Sequence, residues 1–78
     1  MNKERTIRKL TELKTQDKGV VAKMKLPEEQ TSRLIELGLR VGCSVRVLAG
    51  GANDGILIAV GDGRIGVNFD VARKIYVF

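Results

Sequence analysis

The stretch Arg33-Leu34-Ile35-Glu36-Leu37-Gly38-Leu39-Arg40-Val41-Gly42 decides the fold. Leu34, Leu37 and, beside them, Ile35 recur at helical spacing and mark one apolar face. Gly38 then stands where a left-handed residue ends a helix, a conformation glycine takes without a Cβ penalty. Leu39 is the apolar residue that packs back onto the last turn. Gly42 punctuates the entry to Cys43-Ser44-Val45-Arg46-Val47-Leu48, whose alternation reads as a strand. A short helix therefore gives way to β-structure within a few residues.

Working outward from this junction, Leu26-Pro27-Glu28-Glu29 opens the helix, with proline at its first position and two glutamates in the first turn, where the helix dipole favours negative charge. Upstream, Val20, Ala22 and Met24 alternate with Val21, Lys23 and Lys25, as in a strand half-buried on the first set and solvent-facing at the two lysines. Ile7, Leu10 and Leu13 suit a short helical turn, and Thr15 to Gly19 a reverse turn. Residues 1–6 read as a frayed polar start.

Downstream everything reads as β. Residues 49–55 form a glycine-rich loop, Ile56, Ile58 and Val60 a strand, and Gly61-Asp62-Gly63 a tight hairpin turn. Ile65 and Val67 face inward on the next strand. Asp70 is placed to cap one helical turn, and Ile75 and Val77 are the inner residues of a closing strand. The expectation is a mainly β domain: a small closed or nearly closed barrel of about five strands with one short helix after the first, closure removing exposed edges.

With 78 residues the chain makes a single domain, 1–78, with no room for two lobes around a cleft. It is 44% hydrophobic, yet its aromatics are Phe69, Tyr76 and Phe78 alone, so the core has to be aliphatic. A single cysteine makes no internal disulfide, and no secretory signal opens the sequence, which sets a cytoplasmic expectation. No apolar run approaches the ~20 residues that span a bilayer, so membrane insertion is not expected.

Chemistry is scarce. Histidine is absent, which removes the usual general base and the commonest metal ligand. Cys43 sits among apolar strand residues and reads as a small core side chain. Asp54, Asp62 and Asp70 occupy turns, where aspartate is at home. The loop at 50–55 lacks the lysine of a phosphate-binding loop and has strands on both sides. Neither a catalytic constellation, a metal set nor a cofactor site is expected.

The net charge of +5 is concentrated in one region. Residues 1–25 carry eight basic and three acidic side chains, whereas residues 26–78 carry six of each. Such a basic third attracts an acidic protein face or an anionic membrane leaflet. Nucleic acid is disfavoured because the region has no aromatic residue on which bases stack. Lys23 and Lys25, with Arg33, Glu36 and Arg40 on the polar side of the helix end, are the candidate partner-binding residues. Gly38, Leu39 and Gly42 are the structural ones.

Taken together, Arg33-Leu34-x-Glu36-Leu37-Gly38-Leu39-x-x-Gly42-x-x-Val45-x-Val47 resembles the signature of the FeoA family, small cytoplasmic accessory proteins of bacterial ferrous iron transport. Ile65-Gly66-Val67, Val71-Ala72 and Ile75-Tyr76-Val77 resemble that family's last two strands and the turn between them, and Leu10-x-x-Leu13-Lys14 its opening. The resemblance covers roughly residues 7–78. It implies an SH3-like barrel, no catalysis, and a partner in the cytoplasmic GTPase region of a membrane ferrous iron transporter, peripheral to the inner membrane face. It leaves room for weak self-association. The same domain type also ends iron-dependent repressors, so the alternative is a metal-responsive regulatory domain. Against that stands the lack of a DNA-reading helix–turn–helix ahead of the strands.

Overall fold

The helix–glycine junction folds as a paired-hydrogen-bond C-terminal cap. In the computed structural model, which describes residues 6–51 and 55–78, helix α1 spans Glu28–Glu36 and Leu37 is its C-cap. Gly38 follows with φ +103°. Its amide donates to the Ile35 carbonyl at 2.9 Å, and the Leu39 amide reaches back to the Leu34 carbonyl at 2.9 Å. These two bonds satisfy carbonyls that the helix end leaves open. Leu39 is fully buried and Leu34 nearly so. Ile35 and Leu37, expected on the inner face, are instead 44% and 57% exposed. The chain reverses at Gly38, and Leu39 takes the inward place that Leu37 would have held in a longer helix.

Pro27 precedes the helix as its N-cap, with extended ψ of 151°, instead of occupying the first helical position. The Thr31 amide donates to the Pro27 carbonyl at 3.0 Å, so the ring replaces no donor that the helix needs.

Among the described residues six strands form one antiparallel sheet, one more than expected: β1 Arg8–Lys9, β2 Lys18–Met24, β3 Ser44–Gly51, β4 Gly55–Val60, β5 Gly63–Val67 and β6 Ile75–Val77. Their spatial order is β1-β6-β2-β3-β4-β5. The sheet wraps an aliphatic core of Leu10, Leu13, Val45, Val47, Ile58 and Val77, among others. Phe69, Tyr76 and Phe78 are all only half-buried. Among the described residues the barrel is not closed: β1 and β5 stand at opposite ends of the strand order and do not pair, so two edges remain there.

Several local expectations change. Leu10–Glu12 is a single 3-10 turn with Leu10 and Leu13 buried, while Ile7 is exposed and the residues between them, Arg8 and Lys9, pair with β6. In β2 the buried residues are Gly19 and Val21, whereas Val20, Ala22 and Met24 are half-buried. A bulge lies behind this. Val21 pairs with Val77 and Lys23 with Tyr76, so Ala22 is an extra residue that breaks the simple alternation. β3 has a similar bulge between Val47 and Ala49.

Ala49, Gly50 and Gly51, read as loop, continue β3 and pair with Leu57, Ile56 and Gly55. The rest of that expected loop, residues 52–54 including Asp54, lies outside the described residues, as do residues 1–5 of the expected frayed start. Cys43 precedes β3 and is half-buried against the core instead of within it. The hairpin at Gly61-Asp62 is as expected: Val60 pairs with Gly63 and Gly61 has φ +60°, the positive value that a two-residue hairpin turn requires. Helix α2, Phe69–Ala72, is capped by Asn68 and not by Asp70, since the Asn68 side chain accepts from the Val71 amide at 3.0 Å. Asp70 falls in the first turn and pairs with Arg73 at 3.8 Å.

Candidate partner-binding surfaces

The β2–β6 register builds the first surface. Because Lys23 is directly opposite Tyr76 of β6, and Tyr76 alternates with the fully buried Ile75 and Val77, both side chains point outward. The Lys23 ammonium lies 5.6 Å from the centroid of the Tyr76 ring and that of Lys25 lies 5.3 Å away. An ammonium within about 6 Å of an aromatic face is attracted by the ring quadrupole, weakly at exposed sites. On the other side of β6, Lys9 of β1 is also directly opposite Tyr76 and exposed. Three lysines thus surround one tyrosine on the outer face of β1-β6-β2. None of the three makes an ion pair with a described carboxylate, whereas Arg73 does with Asp70.

Lys23 and Lys25 therefore sit on the outer face, as the sequence implied. The contributions of Tyr76 and Lys9 were missed. A signal for Tyr76 existed in Ile75-Tyr76-Val77, whose alternation turns the aromatic outward. Lys9 had none, because a two-residue strand carries no period.

The second surface is the end of α1. Arg33, Glu36 and Arg40 are exposed there, alongside Ile35, Leu37 and Val41, the last 58% exposed. Arg33 and Glu36 do not pair with each other, despite the i,i+3 spacing. Beside this end lies a groove of about 300 Å³ between α1 and the β5 edge, which takes in Arg33 but neither Glu36 nor Arg40. The helix residues and the lysine–tyrosine platform thus occupy separate elements, and the structure does not merge them into one cluster. Gly42, with φ +96°, closes the turn that follows.

Among the described residues no three His, Cys, Asp or Glu side chains converge as a metal site, and no helix is long and apolar enough to cross a membrane.

Curated protein sequences give no significant match to the chain. Among solved structures, an iron uptake regulatory protein (FeoA) superposes with a TM-score of 0.85 at 26% identity, over 92% of this chain and 96% of that one. The FeoA of Stenotrophomonas maltophilia complexed with zinc, a prokaryotic SH3-domain protein, gives a TM-score of 0.73 at 28% identity, over 90% and 88% of the two chains. A manganese-dependent transcriptional repressor gives 0.79 at 25% identity, with 91% of this chain covering 40% of the repressor. The fold is thus the SH3-like barrel, here of six strands. The FeoA domain model matches residues 8–77, from the first residue of β1 to the last of β6, so the chain belongs to the FeoA family, whose members are associated with ferrous iron transport.

Proposed function

We propose that this chain is a non-catalytic accessory module of ferrous iron uptake that docks on the cytoplasmic GTPase portion of the membrane transporter and modulates it. The observation that carries the reading is the platform of Lys9, Lys23 and Lys25 around Tyr76, a basic surface without carboxylate partners among the described residues on a member of an iron-transport family. An acidic face of the GTPase portion, next to the anionic inner leaflet, complements it. Arg33, Glu36 and Arg40, with the exposed apolar Leu37 and Val41 near them in sequence, supply a second contact of mixed character.

Exposed charges steer encounter more than they hold a complex together, and salt screens them with a Debye length of about 8 Å at physiological ionic strength. The test is the association rate with the purified GTPase portion at low and high salt, for the parent and for Lys23→Glu combined with Lys25→Glu. The expected result is slower association at high salt and for the double variant, with a smaller change in dissociation. Rates indifferent to both changes would confine the lysines to a solubilising role and move the contact to the α1 end.

A second reading, a metal-responsive regulatory domain, is favoured by the likeness to the manganese-dependent repressor. It requires that Mn(II) or Fe(II) bind the folded chain and raise its melting midpoint. An unchanged midpoint at millimolar metal excludes it.

A further inference from the structure

The open edge at β5 adjoins the groove beside the α1 end, and its backbone groups belong to neither candidate surface. Among the described residues β5 pairs only with β4. Its hairpin sets the register: Gly63, Ile65 and Val67 lie opposite Val60, Ile58 and Ile56 and, continuing from the two-residue turn, exchange the ladder hydrogen bonds with them. The amides and carbonyls of Arg64 and Gly66 therefore point away from β4, along the free edge. Native proteins cover or interrupt such a row because it templates another strand. Here no proline interrupts it, and only Arg64 contributes a charge.

Gly66 supplies an independent argument. Its φ lies outside the left-handed region, and a Cβ built on it meets no heavy atom within 4 Å. The folded chain thus makes no demand for glycine there, although glycine weakens a strand interior. Glycine in a strand interior often marks a bulge, a tight bend or a place where a ligand or another backbone approaches closely, and the β4–β5 register runs through Gly66 without a bulge. Open space flanks Gly66 on both sides. On the outer face it stands in the row Ala49–Leu57–Gly66, in which the 36% exposed Leu57 is bordered by two small residues. Towards α1 it borders the groove walled by Leu34, Leu37 and Val71 with Arg33 at its rim. No acidic residue lines that groove.

We infer that the β5 edge is a strand-addition site, which receives a short extended segment of the partner protein as a seventh strand. Arg64 and Gly66 offer that segment two N–H donors and two C=O acceptors, at the ~4.8 Å spacing of neighbouring strands. Alternate side chains of the added strand go to opposite faces. One large apolar residue lies across Gly66 against Leu57, as aromatic residues cover edge glycines, and its neighbour enters the Leu34–Leu37–Val71 groove. Arg33 and Arg64 select a segment carrying a carboxylate. A second copy of this chain is the weaker occupant, because each copy brings a net charge of +5 and repels the other.

This inference rests on the docking reading, and its test separates the two. The probe is the purified cytoplasmic GTPase portion of the ferrous iron transporter from the same organism. Amide hydrogen exchange on the complex is expected to show the Arg64 and Gly66 amides, free in the isolated chain, slowed at least roughly tenfold. Gly66→Pro removes an outward donor and no ladder bond, and weakens binding roughly tenfold, the worth of one interfacial hydrogen bond. Gly66→Val fills the open seat. It raises the melting midpoint of the free chain by about 4 °C through strand propensity while lowering affinity, whereas a glycine kept for folding would lower the midpoint. Unprotected edge amides with unchanged affinity in both variants, while the Lys23/Lys25 reversal still weakens binding, overturn the edge site and leave docking standing. No binding by the parent overturns docking, and the edge site with it. A concentration-dependent doubling of mass that Gly66→Pro abolishes assigns the edge to a second copy and overturns the inference.

Discussion

Among single residues, the glycines separate by the reason each is glycine. Gly38 is held at φ +103° with room around it, the nearest atom to an added Cβ being Val60 Cγ1 at 3.9 Å. Gly38→Ala thus costs the left-handed conformation alone, about 1 kcal/mol or slightly more. Gly55 combines φ +99° with a Cβ position 2.7 Å from the Val67 carbonyl oxygen. Gly55→Ala therefore also displaces the backbone of β5 and is expected to cost roughly twice as much or more. Urea unfolding of the two variants checks the ranking, and equal midpoints would refute it. The role of Gly38 was legible because a helical pattern ends at it. That of Gly55 was not, since its steric reason is a strand contact that the sequence does not locate.

For whole elements, α1 shows where a periodic reading stops being valid. The spacing of Leu34 and Leu37 is helical and correct, but burial depends on what the helix meets. The element ends at Glu36, and the left-handed turn transfers the inward position from Leu37 to Leu39. Leu39→Ala is expected to cost about 2–5 kcal/mol by leaving a cavity, and Leu37→Ala no more than about 0.5 kcal/mol. Thermal unfolding distinguishes them, and comparable losses would show Leu37 to be part of the core. The same limit explains the other corrections. β4, β5 and β6 follow their sequence pattern because alternation persists through each of them. β1 is too short to alternate, and β2 alternates around a bulge. The helix α2 cap moved from Asp70 to Asn68 because both side chains cap well and only the backbone path selects between them. Lys23 and Lys25 were legible as outward residues, while the tyrosine that gathers them depends on the β2–β6 register.

For the whole molecule, the donor set limits what metal the chain holds. It has no histidine, its one cysteine is half-buried, and no three acidic or soft ligands converge among the described residues. Borderline divalent metals select imidazole and thiolate. Isothermal calorimetry with Fe(II) or Zn(II) is expected to show no stoichiometric micromolar binding to the monomer, and tight one-to-one binding would overturn this. A millimolar carboxylate site at Asp54 or Asp62 is compatible with the expectation.

The bulge at Ala22 has a consequence for chain length. Val21, Lys23 and Met24 pair with Val77, Tyr76 and Ile75 in unbroken succession on the β6 side, so β2 carries one residue beyond what its partners count. Deleting Ala22 would leave every one of those pairings in place, the buried valine still inside and the lysine still beside the tyrosine. What the deletion would remove is bend, since a surplus residue lengthens one strand of a ribbon relative to its partner and makes it coil. The flattened sheet would draw β1 and β5 further apart and widen the gap between the two open edges. Ala22 is thus spare as a contact and necessary as curvature, and its chemistry matters less than its presence.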